Sequence, residues 1–141
     1  MSRVFWDTML FIYLMEGEPA FAHRAQNLLE RMTERGDTIY TSNLALGEIL
    51  AGAEKTLDPN RPRRVRATLD SLGLIYLPFD EKAVLPFSRL RSQSRVKVAD
   101  AIHLACAASA GIDLFLTNDQ QLTKLNVPGI QFIADFNTPL L

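Results

Sequence analysis

Four carboxylates stand out by their apolar surroundings. Asp7 lies inside V-F-W-D-T-M-L-F-I-Y-L, Glu48 inside L-A-L-G-E-I-L-A-G, Asp100 inside V-A-D-A-I-H-L-A-C-A, and Asp119 just after L-F-L-T-N. Three of them have a structural alternative. Asp7 and Asp119 could cap helices, a role for which Asp is favoured, and Asp100 could face a helix N-terminus. Glu48 has no such role: it sits well inside a helical stretch, with Gly47 and Gly52 able to admit a close approach by another group. Isolated carboxylates in apolar surroundings are expensive, and several together repel one another and raise their pKa values. A divalent cation relieves both effects. With only acids as donors, a hard ion such as Mg²⁺ or Mn²⁺ is the match. Such an ion suits phosphoryl chemistry, because it lowers the pKa of a bound water and steadies phosphate charge. His23 belongs to a surface helix. His103, three residues after Asp100, could share its helical face, but neither imidazole is expected to take the ligand role.

The elements that must hold these acids follow from periodicity. Val4–Trp6 is a short unbroken β-forming run, as in a strand covered on both faces, and from Thr8 the spacing turns helical. Asp7 then falls at the carboxyl end of the first strand, where open α/β sheets place ligand sites. Pro19 opens a helix that Gly36 stops, with Ala22, Ala25, Leu28, Leu29 and Met32 at helical spacing. Asp37–Thr41 reads as a second strand, and Ser42 caps a helix over Asn43–Ala53. A basic amphipathic helix follows around Arg63–Leu72, then a third strand over Leu74–Leu77. Asp80 caps a helix towards Gln93, with a bend or restart expected at Pro86. Val98–Ala110 is apolar on nearly every side and marks a buried helix ended by Gly111. Leu114–Thr117 is a fourth strand, Asp119–Leu125 a short helix, Gln131–Ile133 a possible fifth strand, and a tail begins at Asn137. Strands alternating with helices predict an α/β fold, a three-layer α/β/α arrangement around a mostly parallel central sheet.

Composition narrows the class. The chain has 141 residues, 48% apolar and 22% charged, with a formal net charge of −1. That is an ordinary globular profile with no overall basic character, read as a single domain over residues 1–141. A lone cysteine, Cys106, excludes an intrachain disulfide, suits a reducing compartment, and fits a small core residue. The apolar start mimics a signal peptide, but Asp7 interrupts it and Glu16 and Glu18 crowd the Ala20-Phe21-Ala22 stretch. The run Met9–Met15 is too short to span a bilayer. A cytoplasmic protein without membrane attachment is expected, its first residues retained as the first strand.

The four segments together resemble the PIN-domain nucleases, in particular the small VapC-type toxins of toxin–antitoxin pairs. V-F-W-D-T is similar to the family's opening apolar-Asp-Thr/Ser segment, and T-S-N-L-A-L-G-E-I-L-A-G to the segment carrying its Glu. V-A-D-A-I-H-L-A-C-A resembles its Asp-bearing helix, and L-F-L-T-N-D its strand ending in Thr and a last acid. The resemblance covers essentially the whole chain in order. It implies that Asp7 and Asp100 are the primary metal ligands, with Glu48 and Asp119 completing the catalytic acidic cluster and Thr8 in support. It also implies a homodimer, and an antitoxin whose C-terminal segment covers the acidic groove. Asn118 stands where many relatives carry Arg, and His103 where a small or apolar residue is commoner. Those departures bear on substrate choice rather than on the metal site.

Eight of the 15 Lys and Arg residues fall in two clusters, Arg61, Arg63, Arg64 and Arg66, and Arg89, Arg91, Arg95 and Lys97. Such groups near an acidic site can hold phosphates, although about half of them would serve equally as a solvated helix face. Arg95 and Lys97, just ahead of Asp100, are the best RNA-binding candidates. The reading is a Mg²⁺- or Mn²⁺-dependent endoribonuclease. A haloacid-dehalogenase-type phosphatase would need a second Asp where Met9 stands. A non-catalytic PIN-like RNA-binding or scaffolding domain remains the alternative, and such domains typically lack part of the acidic set.

Overall fold

The computed structural model describes residues 1–137. Its elements run β1 (Arg3–Trp6), α1 (Thr8–Glu16), α2 (Pro19–Arg35), β2 (Thr38–Ser42), α3 (Asn43–Glu54), α4 (Arg61–Ser71) and β3 (Ile75–Leu77). They continue with α5 (Glu81–Gln93), α6 (Val98–Ala110), β4 (Ile112–Thr117), a 3₁₀ turn over Leu122–Lys124, and β5 (Ile130–Asp135). The five strands form one sheet in the order β3-β2-β1-β4-β5, and every pairing is parallel. The expected α/β class and layering are therefore observed, with a wholly parallel sheet in place of a mostly parallel one.

β1 lies between β2 and β4, which is why its run of Val4, Phe5 and Trp6 is apolar without alternation. Val4 and Trp6 enter a core with Leu10, Phe11, Met32, Ile49 and Leu69, on the face covered by α1 to α4. Phe5 points the other way, stacking on Phe115 at 4.6 Å in a second core with Ala101, Leu104 and Ala107 of α6. The path of the chain explains the layers. It steps outward from β1 to β2 to β3 with its helices on one face. It then returns across the sheet to β4 through α5 and α6 on the other, as right-handed crossovers require.

This reversal creates a switch point between β1 and β4, where neighbouring strands are followed by connections leaving in opposite directions. The register pairs Trp6 with Leu116, so Asp7 and Thr117 emerge side by side at the carboxyl edge. Gly36 and Gly111 end α2 and α6 in the left-handed conformation, at φ of 75° and 68°. Three expectations shift. α5 continues unbroken through Pro86 without restarting. The helix expected over Asp119–Leu125 is only a 3₁₀ turn, because the Asp119 carboxylate takes the Gln121 N–H and closes a tight turn there. The fourth and fifth strands are longer than Leu114–Thr117 and Gln131–Ile133, extending over Ile112–Thr117 and Ile130–Asp135. Beyond Asn137 the expected tail lies outside the described residues. Among the described residues no helix is long and apolar enough to cross a membrane.

Candidate functional site

Asp7 caps α1, and it also stands at the carboxyl end of β1, as its sequence position predicts. Its Oδ1 accepts the Thr8 N–H at 2.8 Å, capping α1, while its Oδ2 accepts the Thr117 hydroxyl at 2.8 Å. The residue is only 7% exposed. The buried Thr117 hydroxyl in turn accepts the Asp119 N–H at 3.1 Å, so one threonine ties the ends of β1 and β4 to the loop carrying Asp119. Strand register supplies that bridge.

Glu48 reaches the same place from α3. Its Oε1 accepts the Thr8 hydroxyl at 2.8 Å and lies 2.8 Å from His103 Nε2. Asp100 comes from the first turn of α6, on the opposite face of the sheet. Burial raises the Asp100 pKa first, and the neighbouring charges of Asp7 and Asp119 raise it further. Among the described residues its carboxylate has no hydrogen-bond donor. Asp7, Thr8, Glu48, Asp100, His103, Asn118 and Asp119 all line one cleft of about 480 Å³ at the switch point. All four sequence-predicted acids are thus brought together, with Thr8 between two of them.

The cleft does not end there. Asp100 and Asp119 also wall an adjoining groove of about 340 Å³ lined by Arg95, Lys97 and Gln121. The segment before α6 that carries both cations is pinned by the Arg91 guanidinium, which donates to Val96 O at 2.6 Å. A larger cavity of about 500 Å³ lies beyond, between α5 and the Leu125–Pro128 loop, and contains none of the four acids. The other basic cluster is used elsewhere: Arg61, Arg64 and Arg66 are ion-paired with Glu16, Asp58 and Asp70.

Asp100 and His103 share a face of α6, as their spacing allows, so the imidazole enters the cleft wall, 2% exposed and bonded to Glu48. One expectation is corrected. Gly47 and Gly52 admit no close neighbour, since a Cβ at either would meet nothing within 4 Å. Sequence reasoning gave Ser42 only a capping role and Thr117 no partner in the site, although each is a hydroxyl at the carboxyl end of a strand, which was the available signal. Cys106 is buried as expected, and burial pushes its thiol up to about 11.

Whether a metal fits can be judged from the donors. Among the described residues no group of three or more His, Cys, Asp or Glu side chains is placed to hold a metal ion. A half-buried carboxylate without a hydrogen-bond donor, pressed by two like charges, fits a hydrated hard cation held by one or two carboxylates.

A family model described as PIN domain matches residues 4–128. No curated protein sequence shows a significant match. Among solved structures the fold is similar to VapBC2 from Rickettsia felis, bound to a promoter DNA fragment. That likeness has a TM-score of 0.78 at 17% identity, covering 94% of this chain and 98% of that one. DNA-bound VapBC from Salmonella typhimurium gives 0.71 at 25% identity, covering 96% and 99%. Mycobacterium tuberculosis VapC20, a toxin that cleaves the sarcin–ricin loop, gives 0.63 at 16% identity, covering 87% and 96%.

Proposed function

This chain belongs to the PIN-domain family, and from that premise and the geometry of the cleft we propose that it is a metal-dependent endoribonuclease. The observation that carries the reading is the convergence of Asp7, Glu48, Asp100 and Asp119, from four separate segments, on one cleft that opens into the Arg95 and Lys97 groove. Residues 1–141 would act as one nuclease unit, in the cytoplasm.

Asp7 and Asp100 would hold Mg²⁺ or Mn²⁺. The chemistry such an ion supplies when bound is a more acidic water and a partly neutralised phosphate. The chain's own residues do the rest. Thr117 fixes the Asp7 carboxylate against the strand ends, and Thr8 fixes Glu48. Arg95 and Lys97 receive the phosphates flanking the scissile bond, a sequence-independent contribution that weakens with salt. Glu48 and Asp119 complete the acidic wall that a water must enter to attack.

Two similar structures are VapBC proteins, a family of toxin–antitoxin systems, and one is a toxin that cleaves the sarcin–ricin loop. In keeping with them, we assign this chain the toxin role in a type II pair. A cognate antitoxin would cover the acidic cleft with Arg or Lys side chains, which its charge favours. A homodimer could use the exposed apolar side chains of Ile75 on the edge strand β3, of Phe79 after it, and of Val84 and Leu85 on α5.

The test is cleavage of cellular RNA by purified protein in Mn²⁺ or Mg²⁺, with chelator and Asp100→Asn as controls. Fragments that appear only with the ion and the intact acid support the reading. RNA retention without cleavage in either ion would favour the non-catalytic RNA-binding alternative.

A further inference from the structure

The two oxygens of Glu48 have different surroundings. Oε1 faces both the Thr8 hydroxyl and His103 Nε2, each at 2.8 Å, while among the described residues no donor reaches Oε2. Behind His103 lies a second link: its Nδ1 is 2.7 Å from Ser42 Oγ, which also accepts the Ala45 N–H at 3.0 Å. Ser42 is 0% and His103 2% exposed, so Ser42 Oγ and His103 Nδ1 must satisfy each other within the fold. Counting donors and acceptors leaves one satisfied arrangement. Ser42 has a single proton, and its oxygen already accepts from Ala45. If the Ser42 hydroxyl donates to Nδ1, then Nε2 carries the imidazole proton and donates to Glu48 Oε1. With a proton on Nδ1 instead, the buried Ser42 hydroxyl hydrogen is left without an acceptor, which is costly.

We propose that His103 is a positioning residue. Through the chain Ala45 N–H, Ser42, His103 and Glu48 it locks Oε1 and leaves Oε2 as the open acceptor in the cleft. This rests on the RNA-cleavage reading for its consequence, though not for its geometry. The relay joins α3, on one face of the sheet, to α6, on the other, and so couples the Glu48 carboxylate to the helix that carries Asp100. Thr8 alone would leave Glu48, whose side chain is 37% exposed, free to swing about one hydrogen bond. Two donors on one oxygen from different elements fix the carboxylate plane. His103 does not touch substrate in this scheme; it acts through Glu48.

The experiment has two independent arms. Nitrogen-15 NMR of the wild-type imidazole, without metal or RNA, is expected to show the proton on Nε2. A proton on Nδ1 overturns the relay whatever the activity. In the second arm, His103→Leu and His103→Gln are compared for RNA cleavage, for Mn²⁺ affinity by calorimetry and for melting temperature. The Leu variant is expected to lose about 10- to 100-fold in kcat, with KM and Mn²⁺ affinity little changed. The Gln variant, which keeps a side-chain N–H donor, should recover most of that loss at similar stability. Full kcat in His103→Leu, or equal losses in both variants, overturns the positioning role. If His103→Leu does not fold, Gln against wild type and the NMR arm still decide it. Wild-type protein that cleaves no RNA overturns the functional reading instead, and leaves the tautomer result standing.

Discussion

At Asp100 two influences act in the same direction. Burial comes first and the charge of Asp7 second, and with Asp119 they outweigh the opposing influence of His103 and Lys97 and hold its carboxyl above the ordinary value of 3.8. An acid whose pKa is raised by folding weakens the fold when ionised. The penalty is absent below the unfolded value, grows as pH rises from the unfolded value to the folded one, and is complete above it. In chelator, Asp100→Asn is therefore expected to raise the melting temperature at neutral pH, and the gain should vanish below 3.8. Thermal unfolding on both sides of that window checks it; a lower melting temperature at neutral pH would contradict the assignment. Glu48 offers the complementary case. In Glu48→Gln the side-chain carbonyl can still accept from Thr8 and His103, while the open Oε2 becomes an amide that accepts nothing. Cleavage at saturating Mn²⁺ should drop by about 10²-fold or more, with the metal-free melting temperature unchanged or higher. Full activity would remove Glu48 from the site.

At the scale of elements, the acids were legible because they interrupt apolar runs at strand ends or inside a buried helix. Their partners were not legible in the same way. Thr117 lies 110 residues from Asp7 and Ser42 61 from His103. Which hydroxyl meets which acid depends on strand register and on the rotation of α6 about its axis, and neither is encoded locally. Short turns were the other blind spot: periodicity over Asp119–Leu125 fits a helix, but one side-chain hydrogen bond decides for a tighter turn. Glycines show the same limit, since their sequence context does not reveal what lies opposite. Gly129, before β5, has φ of +100°, and a Cβ there would stand 2.5 Å from the Ala108 carbonyl oxygen at the end of α6. Gly129→Ala is expected to destabilise by about 1–3 kcal/mol through backbone strain plus that clash. Gly52→Ala, with nothing within 4 Å, should instead gain roughly 0.5–1 kcal/mol. Chemical denaturation of the pair measures the contrast, and equal effects would refute it.

For the whole molecule, the carboxyl edge of the sheet collects charge, while β3 and α5 expose apolar side chains. If that surface joins two copies, Val84→Glu with Leu85→Glu should convert a dimer to a monomer in light scattering, since both side chains are more than half exposed, at 51% and 55%. A monomeric wild type would remove the dimer from the proposal. Metal binding offers the most global readout, because the cluster stores its repulsion in the folded state alone. An ion that binds only the folded chain, at about 100 times its dissociation constant, stabilises by about 2.7 kcal/mol. For a chain of 141 residues that corresponds to a rise in melting temperature on the order of 10 °C. Mn²⁺ titrated into wild type should produce a shift of this order, growing with the logarithm of concentration beyond saturation. Asp100→Asn begins from a higher metal-free melting temperature and should gain much less, because both a ligand and the repulsion that the ion relieves are gone. The two variables must therefore move together: what Asp100→Asn gains without metal, it forfeits in metal response. An undiminished Mn²⁺ shift in Asp100→Asn would put the ion somewhere other than the switch-point cleft.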